Sequence, residues 1–530
     1  MKKVKPVEID RNAVDTLLGK LDNRSLDDED YELIKLLIAA VVNMNRELEK
    51  KNISINRLRK VFNIQTEKSR NILPEEGDLK EPRKPVKKEK KKSKGHGRMG
   101  ADCYKDADKV HIRHTALKTG NSCPDCLKGK LYNNVTDGVF VKITASPPFK
   151  AAVYIQEKLR CNLCGKVYTA DWPDNVERVK YDAGVSSMIA MLKYGSGFPF
   201  YRIGVLQDNL EVPIPSSTQW DIISEAVKKV FPVYEHLVFM AAQGDVIHND
   251  DTNMKILSIM KENKSKKKSD RKGMFTTGII SKQDGKEIAL YYTGRKHAGE
   301  NITDLLRQRL YSKGPPIQMC DALSRNPPDE FKTILSNCLS HGRRKFVDLI
   351  DNFPDECGFI IRLLADVYHN DSIARKTAMT DDERLSYHQT ESGPKMEELK
   401  RWIDAQLKEK KVEPNSSLGE AIQYIQNHWE KLTLFLRIPG APLDNNICER
   451  ALKKAILHRK NSLFYKTENG ARTGDIFMSL IETCNLTKVS CFKYLVALQK
   501  YSVKVRANPS AWLPWNFERS YRRELRDKKG

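Results

Sequence analysis

Three carboxylates stand far apart in the chain but in related settings. Asp250 lies late in an apolar, strand-like run, "GDVIHNDDTNMKILSIM". Asp321 ends a short buried run, "PIQMCDAL". Glu449 lies in "PLDNNICERALKKAILHRKNSLFYKTENGAR", Pro442 to Arg472, which opens like a capped helix and continues through Arg450, Lys453, Lys454, His458, Arg459 and Lys460. Neighbouring parallel strands can set two such acids side by side, and a packed helix can add the third. Like charges at that range repel. Divalent cations that prefer hard oxygen ligands, Mg²⁺ or Mn²⁺, remove the penalty. Two such ions about 4 Å apart can clamp the attacking and leaving oxygens of a phosphodiester. Adjacent strand residues point to opposite faces, so only one of Asp250 and Asp251 can join the cluster, and periodicity does not choose between them. Asp245 is a third candidate. Arg450, Lys453 and Arg459 on a helix, where positions three and four apart share a face, and Lys460 beside them read as DNA phosphate contacts. His341, Arg343 and Arg344 in "CLSHGRRKF" are further candidates.

A second chemistry is carried by cysteine. Of 11 cysteines, four form two C-x-x-C pairs, "CPDC" (Cys123, Cys126) and "CNLC" (Cys161, Cys164). Each pair makes a tight knuckle that aims two thiolates at one point, and two knuckles complete a tetrahedral site suited to one structural Zn²⁺. The intervening "KLYNNVTDGVFVKIT" and "AAVYIQEKLR" read as strands, which makes a zinc-ribbon pattern. The other seven cysteines are scattered, so a disulfide framework is not expected.

The elements that must position these groups follow from patterning. From residue 243 the texture is strand, strand, strand, helix ("HAGENITDLLRQRL"), strand, a mixed α/β pattern with a Lys-rich turn from Lys261 to Lys272. Residues 328 to 436 read as almost wholly helical. Upstream, residues 180 to 240 contain three helical segments, the last starting at a Ser216-Ser217-Thr218 cap and carrying Trp220. That arrangement fits a DNA-reading helix-turn-helix and equally a small helical bundle. Residues 26 to 66 read as one helix. Ile34, Val41, Leu48, Ile55 and Phe62 recur every seven residues, and Leu37, Met44 and Leu58 take the companion position. This is a two-stranded coiled-coil seam, or an amphipathic helix widened by Leu33, Leu36, Ile38 and Val42 and packed on its own domain. Between it and the cysteine pairs, "KEPRKPVKKEKKKSKGHGRMG" is too polar to bury a core and reads as a disordered tether. Its Arg98 is a candidate minor-groove contact.

The chain of 530 residues has a formal net charge of +23. A basic balance of that size points to a polyanion, nucleic acid above all. No apolar run reaches the roughly 18 residues of a membrane span. The start, "MKKVKPVEIDRN", has charge but no apolar stretch behind it, so no secretory signal is expected. A cytoplasmic, nucleoid-associated protein is the expectation.

The last third resembles the insertion-sequence-sixty-six family of DDE transposases, most closely from Pro442 to Leu495. "CLSHGRRKF" resembles a family segment after the second acid, and "NDDT" stands where the family has Asp-Glu-Thr. "RLRKVFNIQTEK", "GHGR", the two C-x-x-C pairs, "KYGSGFPFYR" and "SSTQW" fall in the family's order, so the resemblance runs from about Leu26 to about Leu498. It implies that Asp250 is the first acid, Asp321 the second and Glu449 the third. It also implies an RNase H-like catalytic domain interrupted by a helical insertion, and cut-and-join transposition at terminal inverted repeats. One departure is that "DALSRN" stands where the family has Gly-Tyr after the second Asp. The expected architecture is multidomain α+β: a coiled-coil helix (1–70), a basic linker (71–100), a zinc ribbon (101–176), a helical HTH-like DNA-binding segment (177–242), a catalytic domain in two parts (243–327 and 438–500) around the insertion (328–437), and a basic tail (501–530). Expected partners are double-stranded DNA, as element ends and target, a second copy through the coiled coil, and accessory proteins. The alternatives are a structure-selective nuclease with the same three acids, and a non-enzymatic zinc-ribbon regulator.

Overall fold

The structure, a computed structural model, describes residues 176–265, 267 and 271–527. Before them it describes 17, 20, 21, 26–35, 116–132, 147–160, 166–174 and a few single positions between. Residues 28–35 are helical. The rest of the expected coiled coil, the basic linker with Arg98, and Cys161 lie outside the described residues. The chain divides into two compact units, Gly77–Lys150 and Met1–Glu76 with Ala151–Gly530.

In Gly77–Lys150 the first cysteine pair sits on a tight turn. Ser122 and Lys130 form an antiparallel bridge across it, and Leu127 N donates to the Cys123 carbonyl at 2.9 Å. In the larger unit, β1 (Lys158–Arg160) and β2 (Val167–Thr169) form an antiparallel hairpin around the second pair. The longer strand expected over "AAVYIQEKLR" is confined to its last three residues. Val153 and Ile155 before it are 86% and 91% exposed, so no packing partner among the described residues holds them in a sheet.

The main sheet has the order β5-β4-β3-β6-β7. Its strands are β3 (Val246–Asn253), β4 (Phe275–Gln283), β5 (Lys286–Gly294), β6 (Ile317–Cys320) and β7 (Ile334–Asn337). β4 is antiparallel to both β3 and β5, and β6 and β7 add in parallel on the other side of β3. β7 is a strand within the stretch after residue 328 expected to be almost wholly helical. It is four residues long, "ILSN", and pairing with β6 rather than alternation defines it.

Helices cover the sheet. α1 (Ala183–Ala190), continued by a π-helical turn (Met191–Gly195), α2 (Phe200–Asn209) and α3 (Ser216–Ala242) account for the three expected segments. α3 differs in its start. Pro215 is the N-cap and no side chain caps it; the buried Gln219 instead holds the Ile214 and Phe200 carbonyls at 2.7 and 3.2 Å. Ile223, Val230, Val233 and Leu237 along α3 are fully buried, against α1, β4 and β5 among others. α4 (Leu257–Asn263) occupies the end of the first strand-like run, and α5 (Ala298–Leu306) follows β5. After β7 come α6 (Leu339–Leu349), α7 (Pro354–Lys376), α8 (Asp381–Glu391), α9 (Gly393–Lys408) and α10 (Ser417–Asn427). Their core, with Phe346, Ile360, Leu364, Leu399, Ile422 and Phe435, reaches Ile317 of β6. α11 (Asn446–Ser462) then returns to the sheet, followed by α12 (Glu468–Leu486) and α13 (Cys491–Lys500).

The exposed edge of β5 would present unpaired N–H groups. α12 covers it with a polar stripe spaced by four. Asp475 Oδ2, Ser479 Oγ and Thr483 Oγ1 accept from the backbone N of Thr293, Tyr291 and Ala289 at 2.7, 3.0 and 3.1 Å. One helical turn advances about 5.4 Å and two strand residues about 6.8 Å, so the two repeats keep step over three contacts.

His458, read above as one of the cations of α11, is buried. Its ring stacks on Tyr465 at 4.6 Å and on Tyr194 at 6.3 Å, and neither ring nitrogen has a hydrogen-bond partner among the described residues. Burial, with Lys193 nearby, pushes its pKa down from 6.5 to about 3. The folded state therefore holds it neutral, while the unfolded chain takes a proton below pH 6.5. Stability from this group is complete above pH 6.5 and is lost as pH falls towards 3. His458→Phe keeps the stack and removes the proton site. Urea unfolding of the variant should show a shallower loss of stability between pH 6.5 and 4 than the parent. An unchanged slope would assign the acid sensitivity elsewhere, for instance to His248, whose pKa burial also lowers to about 3.

Candidate active site

β3 and β6 are parallel in the register Val246↔Ile317, Ile247↔Gln318, His248↔Met319. Two residues further on, the same register sets Asp250 beside Asp321, just past the end of β6. Across the other edge of β3, Asp250 is opposite Gly278 of β4. α11 crosses these strands at that glycine. Cys448 Sγ donates to the Gly278 carbonyl at 3.2 Å, and a Cβ on Gly278 would meet Leu452 Cδ1 at 3.1 Å. A larger residue there would lift the helix away. Glu449, next to Cys448 in the first turn of α11, thereby comes over Asp250.

The N-terminus of α11 is fixed by Asn445. Its side-chain Nδ2 donates to the Asn249 carbonyl at 2.9 Å, and its Oδ1 lies 3.2 Å from His248 Nδ1. The insertion adds a second anchor. Arg384 of α8 reaches the Ala441 carbonyl at 2.9 Å and pairs with Asp371 of α7 at 2.8 Å. Burial alone would raise Asp371, but His388, Arg384 and Arg375 outweigh it and hold the carboxyl at about 2. The helical insertion is therefore tied to the segment that leads into Glu449.

Electrostatics register how close the three acids are. Burial raises Asp250 from 3.8 to about 7; the Asp251 N–H opposes this, and the charges of Asp321 and Glu449 add to it. Burial also raises Asp321, against the opposing pull of His341, Asn326 and Arg325. Asp251 faces the other way. It accepts from Thr277 Oγ1 at 2.6 Å and from Ala298 N, the first residue of α5, at 2.9 Å. That assigns Asp251 to capping a helix and leaves Asp250 with the cluster. Asp245 is exposed and 3.5 Å from Lys313, so it does not join.

The "DALSRN" departure folds back on the site. Asn326 Nδ2 hydrogen-bonds the Asp321 carboxylate and reaches its carbonyl at 3.3 Å. The buried Gln318 in turn holds the Asn326 carbonyl at 2.8 Å and Asn249 Oδ1 at 2.9 Å. Asn326 and Asn445 both escaped the reading of the sequence. A lone amide carries no spacing signal, and only the fold-back turn reveals its target.

Near Glu449, donor atoms of Cys338, His341 and Glu449 all lie within 4.8 Å of one another. Glu449 Oε1 and His341 Nδ1 are buried atoms without a hydrogen-bond partner among the described residues. Ligand atoms left without partners, together with the Asp250 carboxyl raised to about 7, make a set that a divalent cation would fit. Of the candidate phosphate contacts, Arg450, Lys453 and Lys460 are exposed on α11. Arg459 binds Thr252 Oγ1 at 2.9 Å and the Asn253 carbonyl at 2.5 Å, and Lys454 pairs with Glu482 at 2.5 Å. Arg343 and Arg344 are half-buried on α6. In the cysteine turn, Gly129 N donates to Cys126 Sγ at 3.4 Å, and this bond first of all lowers the Cys126 thiol pKa. Cys164 is exposed.

No helix among the described residues is long and apolar enough to cross a membrane. The sequence model of the Transposase IS66 family matches residues 178–473, more than half of the chain and a span that holds all three acids. Three proteins of Sinorhizobium fredii (strain NBRC 101917 / NGR234), each described as uncharacterized, are similar. y4jD is 32% identical over 189 residues, 35% of this chain and 36% of that protein. y4hP is 23% identical over 438 residues, 78% of this chain and 76% of that protein. y4qI is 27% identical over 346 residues, 62% of this chain and 61% of that protein. The chain thus spans about a third of y4jD and about three quarters of y4hP.

Proposed function

The chain belongs to the Transposase IS66 family, and from that premise we propose that it is a DDE-type transposase that binds the ends of its element, cuts there and joins the freed end to target DNA. The observation that carries this reading is the register of β3 on β6 with α11 packed across β3 and β4, since it supports a pocket in which the charges of Asp321 and Glu449 act on Asp250. The strand order, three antiparallel strands followed by two parallel ones on the far side of the first, supports an RNase H-like domain.

Asp250, Asp321 and Glu449 would hold two divalent ions, Mg²⁺ or Mn²⁺. Such ions, when bound, supply Lewis-acid polarisation of a phosphodiester and its attacking oxygen. The chain's own contribution is positioning and charge. Asn326 fixes the pose of Asp321, and Asn445 fixes the start of the helix that carries Glu449. Arg450, Lys453 and Lys460 offer cations to the DNA backbone along one exposed side of α11, where counterion release favours binding. The first attack by water leaves a 3′-hydroxyl held in the same pocket, and orientation of that hydroxyl against the target phosphate is the work of the fixed side chains. Two element ends call for two such sites, which makes a dimer the working unit. A zinc ribbon built from Cys123, Cys126, Cys161 and Cys164 is part of the same proposal. The Gly129 N–H on Cys126 supports it, because it stabilises the thiolate that a metal needs.

The test uses the purified full chain, a duplex carrying the element's terminal repeat, and a supercoiled plasmid as target. With Mn²⁺ or Mg²⁺ the expected products are a 3′-hydroxyl at the repeat end and a covalent joint to plasmid. Cutting without any joint would move the protein to the nuclease class. Binding of the end with neither product would overturn the reading.

A further inference from the structure

We infer that His341 is a fourth metal donor at the active site, so that the Glu449 side of the pocket binds its cation through an imidazole nitrogen as well as carboxylate oxygens and selects Mn²⁺ over Mg²⁺. This rests on the reading of Asp250, Asp321 and Glu449 as a metal-holding set and adds a ligand and a selectivity to it.

The placement is built by the backbone. The N-termini of α6 and α11 are clipped together. Leu339 N donates to the Leu443 carbonyl at 3.0 Å, and Asn445 N donates to Cys338 Sγ at 3.3 Å. His341 and Glu449 each lie in the first turn of their own helix beyond that clip, and they face one another. His341 Nε2 is 3.8 Å from Glu449 Oε1. That is too long for a hydrogen bond. It falls within the range open to two ligands of one ion: with metal–ligand distances of about 2.2 Å, cis ligands stand roughly 3 Å apart and trans ligands roughly 4.4 Å. Among the described residues, the Glu449 oxygen that faces the imidazole has no hydrogen-bond partner, and neither has the other ring nitrogen. Asp321 completes the surroundings, since His341 acts on its charge. Cys338 is close as well, but it is fully buried and its sulfur already takes the Asn445 N–H. It is a structural link and not a donor.

A plain ion pair between His341 and Glu449 would be the alternative use of the contact. The two differ in metal preference. A first-row ion such as Mn²⁺ accepts an imidazole among oxygen ligands, whereas Mg²⁺ demands hard oxygen and gives up its waters reluctantly. A pocket of carboxylates alone lacks that discrimination.

The decisive measurement is made on the wild-type full chain loaded with Mn²⁺. Pulsed electron paramagnetic resonance should detect a ¹⁴N coupling from a directly bound imidazole. His341→Ala should abolish that coupling and weaken Mn²⁺ binding at least tenfold, while Mg²⁺ binding, read by competition, changes less than about threefold. His341→Asp should restore Mn²⁺ binding without the coupling and bring the two affinities together. Absence of the nitrogen coupling in the wild type, or a Mn²⁺-to-Mg²⁺ ratio unchanged in His341→Ala, would overturn the inference. Asp250→Asn separates it from the reading beneath. If that variant binds both ions as the parent does, the three-acid pocket itself is wrong. If it weakens both while His341→Ala weakens neither, only the fourth ligand falls.

Discussion

Asp250→Asn should abolish end cleavage, by roughly a thousandfold or more, and should leave the folded protein as stable as before or slightly more so. The two halves of this expectation have one cause. Asp250 is largely buried, and its carboxyl is pushed up to about 7 by that burial, opposed by the Asp251 N–H and reinforced by Asp321 and Glu449. An ionised carboxylate there is unfavourable for folding and is retained for what it binds. Asparagine keeps the shape and the acceptor oxygen for Asp251 N, which bonds Asp250 Oδ1 at 2.8 Å. It removes the charge that a divalent cation needs. Asp251→Asn should do the reverse. Asp251 accepts two hydrogen bonds, from Thr277 Oγ1 and from the start of α5. Weakening a charged cap of this kind costs about 1–2 kcal/mol, with activity reduced only as far as α5 shifts. Urea unfolding and end cleavage, measured on both variants, separate the roles. A dead Asp251→Asn beside an active Asp250→Asn would exchange the two residues and break the proposed site.

That pair also marks the limit of what the sequence could say. Strand periodicity shows that adjacent acids point to opposite faces, but not which face is which. The answer comes from β4 and α5, which claim Asp251 through Thr277 and Ala298. Asp321 and Glu449 stand at the boundaries the sequence marked for them, a strand end and a helix start. What holds them was not so marked. Asn326 reaches Asp321 across a five-residue turn, and Gln318 and Asn445 reach Asn249 across 69 and 196 residues, each through a single amide, and such contacts leave no period. β7 was missed for a related reason, since "ILSN" is too short to alternate and its order comes from β6. His458 was read by residue type in a cationic stretch, whereas the fold buries it between Tyr194 and Tyr465. By contrast, Asp475, Ser479 and Thr483 did carry a signal, a polar residue every four positions along an apolar helix. Its meaning, the covering of a strand edge, requires β5 to be in place.

Gly299→Ala should be among the most damaging single-methyl changes in the chain, both to stability and to cleavage. Gly299 is the second residue of α5, where alanine would ordinarily add about 1 kcal/mol of helix stability. Here the added Cβ would come within 2.5 Å of the Arg325 carbonyl oxygen and closer still to that of Pro327. Gly299 N also donates to the Arg325 carbonyl at 3.2 Å. Backbone cannot swing aside as a side-chain tip does, so either the 325–327 segment or the helix must move. Overpacking of that kind costs about 1–3 kcal/mol and sometimes more, enough to reverse the propensity gain. The functional consequence depends on what the two partners carry. The 325–327 segment bears Asn326, which holds Asp321, and α5 begins at Ala298, which holds Asp251. Displacing either disturbs the β3–β6 acids from behind, so cleavage should fall more than tenfold even at temperatures where the variant remains folded. Gly294→Ala, whose Cβ would meet nothing within 4 Å, should stay within about 0.5 kcal/mol of the parent. Full cleavage and an unchanged unfolding midpoint in Gly299→Ala would mean that the 325–327 turn yields freely. The pose of Asp321 would then depend on bound DNA and metal rather than on Asn326.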